Sequence, residues 1–244
     1  MRHAVRAEIL KVTTVRSLWL GAVLAAVAVP LFSLLVVGTD GLSADDTTTS
    51  GAATGTIVGL LAFGAWSATL AASEYVHRTM SVSLATVPRR SVLYGAKLIA
   101  TAAITGAGGA TSALAALAVV RLADAPGAHD LGNPAALVAL VLAVVAVSVL
   151  GAAVGLMTRS TTASITIVAV AVLLPKAAGG LLGGLEPWVV GASPATVVTQ
   201  VVGGAQLASD QTYPPGDLAA VGTMLAVAAA AAVAGAIALH RRDT

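Results

Sequence analysis

Glu74 and Arg78 stand four residues apart in the run Glu74-Tyr75-Val76-His77-Arg78-Thr79-Met80, and Pro88-Arg89-Arg90 and Lys97 follow. On a helix, positions i and i+4 share a face. A carboxylate and a guanidinium at that spacing can therefore pair where a chain leaves a membrane. Pro88 would end such a helix. The chemistry these side chains offer is ion pairing and docking rather than bond breaking. The run reads either as an amphipathic connector with solvated charges or as a rigid lever against which a partner pushes.

Catalytic constellations are missing. His3, His77, His129 and His240 fall in terminal or loop segments, and neither HExxH nor GxSxG occurs. His129 with Asp124 and Asp130 reads as a wet loop end before it reads as a cation site. The run Gly106-Ala107-Gly108-Gly109-Ala110-Thr111 lacks the GK[ST] ending of a phosphate loop, and it lies in an apolar stretch where small residues serve helix packing. With no cysteine there is no thiolate zinc site and no thiol nucleophile. No catalytic residue and no metal ligand is assigned. Ion-coupled transport would need ionisable groups at mid-membrane, and the apolar stretches hold almost none. Lys176 lies near the end of one, as an anchor reaching for headgroups or as a substrate contact.

The elements that position these residues follow from composition. Hydrophobic residues make up 57% of the 244 and charged residues 10%, where a soluble fold carries about 25% charge. Mean hydropathy is +0.93. Much of the surface must face lipid, so the chain is an all-α integral membrane protein. Such hydropathy excludes disorder, and a net charge of +2 does not call for nucleic acid. Six stretches approach the roughly 20 apolar residues of a span. They are 18–37, 54–72, 98–120, 135–157, 163–178 and 218–239, the fifth interrupted by Pro175-Lys176. Asn133-Pro134 and Pro214-Pro215-Gly216-Asp217 supply starts for the fourth and sixth, with Asp217 as the cap.

Residues 1–17 put Val5, Ile9 and Val12 on one face, which suits a helix on the membrane surface. Residues 73–97 form a link too long to be a turn. In 179–217, Ser193-Pro194 opens a short helix to about Leu207. Of the 13 basic residues, all but Arg121 and Lys176 fall at the termini or in the links on the N-terminal side of the membrane. The positive-inside bias then puts both termini in the cytoplasm, as an even span count requires. Ten arginines against three lysines, with abundant Ala and Val, fit a high-GC bacterium and hence a bacterial plasma membrane. Gly55 and Gly59, followed by Ser67 and Ala71, give the second span a smooth face. That face suits a pathway, a dimer contact or ordinary packing within the chain.

The order Ser73-Glu74-Tyr75-Val76-His77-Arg78-Thr79, then Leu84, Pro88-Arg89-Arg90 and Lys97, resembles the first cytoplasmic loop of ABC-2 type transporter permeases. Ala7-Glu8-Ile9-Leu10-Lys11, with Thr13, Val15-Arg16-Ser17 and Trp19, is similar to that family's N-terminal segment. Arg78 departs from the family, which often has Gly there. The resemblance covers essentially the whole chain as one transmembrane domain. It implies a coupling helix at 76–87 with Glu74 at its hinge, and His77, Arg78, Thr79, Pro88, Arg89 and Arg90 near a partner ATPase. It also implies a second permease chain, identical or a close paralogue, with the second and fifth spans around a pathway. Short re-entrant helices in 179–217 would close its top.

Walker motifs are absent from the sequence, so ATP and Mg would belong to a separate cytoplasmic ABC ATPase in two copies. This chain would bind no cofactor and would otherwise contact membrane lipid. The implied function is export of a hydrophobic or amphipathic small molecule, peptide or lipid. The alternative is a membrane scaffold or sensor subunit that transports nothing.

Overall fold

Inside lipid a backbone has no water to satisfy its N–H and C=O groups, so each apolar run must close its own hydrogen bonds as a helix. A computed structural model describes residues 1–43, 46–77, 79, 89–123, 130–203 and 211–241, with side chains to residue 239 in the last stretch. Among the described residues there are ten α-helices and two short 3-10 turns, and no strand. The helices are α1 Arg2–Thr14, α2 Arg16–Gly38, α3 Thr48–Ala53, α4 Thr56–Val76, α5 Arg90–Leu122, α6 Ala135–Thr158, α7 Thr161–Ala177, α8 Glu186–Val189, α9 Pro194–Val202 and α10 Asp217–Arg241.

Five stretches are long and apolar enough to cross a membrane: α2, α3 with α4, α5, α6 and α10 up to Leu239. The sixth apolar helix, α7, has 17 residues and runs through Pro175 instead of breaking there. At 1.5 Å per residue it reaches about 25 Å, somewhat short of a hydrocarbon core of about 30 Å. Helix α5 is the opposite case. It begins at Arg90, eight residues before the expected span, and its 33 residues cover about 50 Å. Its first turns therefore absorb part of the link expected over 73–97.

Helix α6 is the hub. It packs on α4 most extensively, then on α5 and α10, and also on α7 and α9. The α4–α6 contact is close because Gly151 and Gly155 present no side chain. A Cβ on Gly151 would lie 2.7 Å from the Gly64 carbonyl, and one on Gly155 would lie 2.7 Å from the Ala68 carbonyl. Ser67 and Ala71 sit on this α6 side of α4, whereas Gly55 and Gly59 face Val29 of α2. The four residues thus occupy two different contacts within the chain, and all four are buried. Helix α2 is the most lipid-facing of the long helices, with Val23, Leu24, Val27, Leu31, Leu34 and Leu35 exposed.

The caps follow local chemistry, with small shifts from expectation. Asn133 accepts the Ala135 N–H at 3.0 Å, and its amide donates to the Val201 carbonyl at 2.7 Å. Asp217 stands inside the first turn of α10 rather than before it, and Gln200 donates to its carboxylate at 2.8 Å. Helix α9 ends at Gly203 in the left-handed conformation, earlier than the expected Leu207, which lies outside the described residues. The buried Gln200 also accepts the Tyr213 N–H at 2.9 Å, so one side chain pins α9 to the approach of α10.

Replacing Gly155 by Ala should push α4 from α6 and cost about 1–3 kcal/mol. Gly222→Ala, where a Cβ meets nothing within 4 Å, should change stability little. Thermal unfolding of the two variants in one detergent checks this, and equal midpoints would refute the close contact.

Candidate functional site

Helix α1 turns Ala4, Glu8, Lys11 and Val12 toward the protein, a spacing of four, three and one that defines a single helical face. Val12 packs with Trp66 and Leu70 of α4. This apolar contact, with the α1–α5 packing, brings two charges of α1 against the ends of two spans. Lys97 donates to Glu8 at 2.9 Å and to Glu74 at 2.5 Å, and Lys11 donates to the same Oε1 of Glu74. Glu74 is only 2% exposed and Lys97 5%.

Two carboxylates and two ammonium groups therefore close a neutral ladder across α1, α4 and α5. Helices α4 and α5 touch each other little directly, so this ladder is a principal bond between them. Removing one member of a buried pair leaves an uncompensated charge, at a cost of about 3–5 kcal/mol. The expected partner of Glu74 was Arg78, four residues on. That residue lies outside the described ones; among them the carboxylate faces two lysines, Lys11 of α1 and Lys97 of α5. The second oxygen of Glu74, Oε2, is buried with no hydrogen-bond partner among the described residues.

Beyond Glu74 the helix closes in a turn, with His77 N–H donating to the Ser73 carbonyl at 2.8 Å and Thr79 N–H to the Glu74 carbonyl at 2.9 Å. These bonds satisfy carbonyls that a helix end leaves open. His77, Thr79 and Arg89 are exposed, and Arg90 begins α5. Arg78, Pro88 and nearly all of the expected coupling helix at 76–87 lie outside the described residues. At the same end the Arg159 guanidinium stands 5.1 Å over the Tyr75 ring, a cation–π contact that ties α4 to the α6–α7 turn. Arg159 holds a left-handed φ of 55° there. Tyr94 donates to the Ala232 carbonyl at 2.6 Å and ties α5 to α10.

The opposite end holds two cavities, one on each side of Pro175-Lys176. Lys176, Gln211, Thr54, Thr196 and Thr199 face one of them. Pro175, Ala171, Trp188, Met224 and Val227 line the other, which is apolar. Proline has no N–H, so the Ala171 carbonyl loses its helical donor beside the apolar cavity. Among the described residues no group of three His, Asp or Glu side chains is placed to hold a metal ion.

Glu8, Lys11 and the burial of Lys97 were the parts missed from sequence. One signal was available, a lysine directly before the apolar run at 98, where a charge drawn into the membrane must find a counter-charge.

Among the described residues, the fold and this site define a multi-pass, all-helical membrane protein in which a buried charge cluster joins span ends. A family model, that of the ABC-2 family transporter proteins, matches residues 4–175, which include all four members of the ladder. The chain belongs to that family and is a transmembrane subunit of a transporter. No curated protein and no solved structure matches it.

Lys97→Met should destabilise by about 3–5 kcal/mol and Lys11→Met, whose side chain is 29% exposed, by clearly less. The double variant Glu74→Gln/Lys97→Met should lose less than the sum of its singles. A double-mutant cycle on thermal unfolding in detergent measures both statements, and strict additivity would show that the ladder contributes no coupling.

Proposed function

We propose that this chain is the membrane half of an ATP-driven exporter and that the Glu74 ladder transmits the push of a separate cytoplasmic ABC ATPase. Members of the family normally work with such an ATPase. The observation that carries the reading is the single carboxylate of Glu74, held by Lys11 of α1 and Lys97 of α5 where α4 gives way to the 77–89 link. A load applied to the link reaches both span ends and the N-terminal helix at once. Rigid elements joined by a buried bond move together, which is what a lever requires.

The proposed assembly has two permease chains, identical or closely related, and two ATPases that supply ATP and Mg. Six spans, with α7 as the fifth, leave both termini in the cytoplasm of a bacterial plasma membrane. His77, Thr79, Arg89 and Arg90, with Arg78 and Pro88, would meet the ATPase. The second chain would cover the face of α7 that leaves Ile167, Val170, Leu173 and Leu174 exposed. The residues Gly55, Gly59, Ser67 and Ala71 would shape the pathway indirectly, by setting how closely α4 approaches α2 and α6. Two adjoining cavities of opposite character, one with an ammonium and hydroxyls and one apolar, support an amphipathic cargo. In that reading Lys176 contacts the cargo's polar end.

Glu74→Ala should lower cargo-stimulated ATP hydrolysis of the reconstituted complex about tenfold while leaving more than half of the complex assembled, as read from ATPase co-purification. Unchanged turnover would remove Glu74 from the coupling path. Tags at either terminus should resist protease added to intact cells, and cleavage of either would break the proposed topology.

A further inference from the structure

The face of α1 that turns away from the ladder borders a second feature. Met1 sits against Gly95 of α5, where a Cβ would lie 2.9 Å from Met1 Cε. Beside this crossing an open groove runs between α1 and α5. Val5, Ile9, Leu10 and Ile99 give it an apolar floor, and Arg2 and Arg6, both exposed, line it with charge. Leu10 is 51% and Ile99 48% exposed, and Ile99 belongs to a helix long and apolar enough to span the bilayer. The floor therefore continues onto lipid-facing surface.

Arg2 and Arg6 are one helical turn apart, exposed, and on the same side of α1. Neither guanidinium makes an ion pair among the described residues, whose salt bridges join only Lys11, Lys97, Glu8 and Glu74. No acidic side chain lines the groove, and the one carboxylate of α1, Glu8, is engaged by Lys97 on the other face. An occupant must therefore bring negative charge to one edge and apolar surface to the rest.

We infer that this groove binds one anionic phospholipid, with its phosphate between the Arg2 and Arg6 guanidinium groups and an acyl chain along Val5, Ile9 and Ile99. Guanidinium forks match phosphate oxygens in pairs, and the apolar lining beside them suits an acyl chain. The lipid takes one face of α1 while the ladder takes the other. Occupancy thus presses α1 onto α5 in the position from which Glu8 and Lys11 reach Lys97 and Glu74. This inference concerns the chain alone and stands whether or not the exporter reading does.

Native mass spectrometry of the full chain in mild detergent, titrated with palmitoyl-oleoyl phosphatidylglycerol and separately with the phosphatidylcholine of the same chains, tests it. A basic residue near an anionic headgroup is worth about fivefold in affinity. The Arg2→Gln/Arg6→Gln chain should therefore bind phosphatidylglycerol about 25-fold more weakly and phosphatidylcholine unchanged. Ile99→Ser should weaken both lipids alike. Should the double variant fail to elute as a single species, Arg6→Gln alone should still show the fivefold loss. Equal binding of the two lipids to the unaltered chain, or a double variant that keeps its preference for phosphatidylglycerol, would overturn the assignment. So would displacement by glycerol 3-phosphate at the same potency, because the site would then read free phosphate and not a lipid.

Discussion

A carboxylate sealed from water at the end of a membrane helix must be met by cations or it does not stay charged. Glu74 is in that position, and the arrangement around it follows from the need. The cations come from two directions. Lys97 arrives from α5, the next span in sequence, and Lys11 arrives from α1, sixty-three residues earlier. Each lysine would itself be an unpaired buried or half-buried charge without its partner. Glu8 completes the account by taking a proton donor of Lys97 that Glu74 leaves over. The N-terminal helix, whose sequence suits a membrane surface, therefore also joins the bundle through its polar face.

At the other end side-chain amides do the comparable work. Gln200 accepts from Tyr213 and donates to Asp217, and the Tyr213 ring meets Trp188 edge-on at 5.5 Å. Asn133 closes the same region onto α9. Between the ends lies a core of Ala, Gly, Val and Leu around α6, in which small side chains let helices approach within backbone contact. Charge at one end, amide hydrogen bonds at the other and close packing between them hold the bundle together along its length.

Glu74 illustrates how far the residues could be read in order. Its place at a span end, the six apolar runs, the helix opened by Ser193-Pro194 and the cap from Asn133 are all local, and local patterns in a chain predict local structure. Its described partners are not local. The i+4 spacing points to Arg78, which lies outside the described residues, whereas Lys11 and Lys97 reach the carboxylate only because α1 and α5 bring them there. The small residues of α4 show the same limit. Gly55, Gly59, Ser67 and Ala71 look like one smooth stripe in sequence, but α2 takes the first two and α6 the others.

Composition and hydropathy by themselves determined that the chain is an all-helical membrane protein and where its long helices fall. Those facts depend on the cost of exposing backbone and charge to hydrocarbon, which each segment settles alone. Tertiary structure alone decided which charges meet, which small-residue faces are filled, and where the cavities beside Pro175-Lys176 and the Arg2–Arg6 groove lie. These depend on which helices become neighbours, and a helix with several adequate faces is assigned a neighbour only by the packing of all the others.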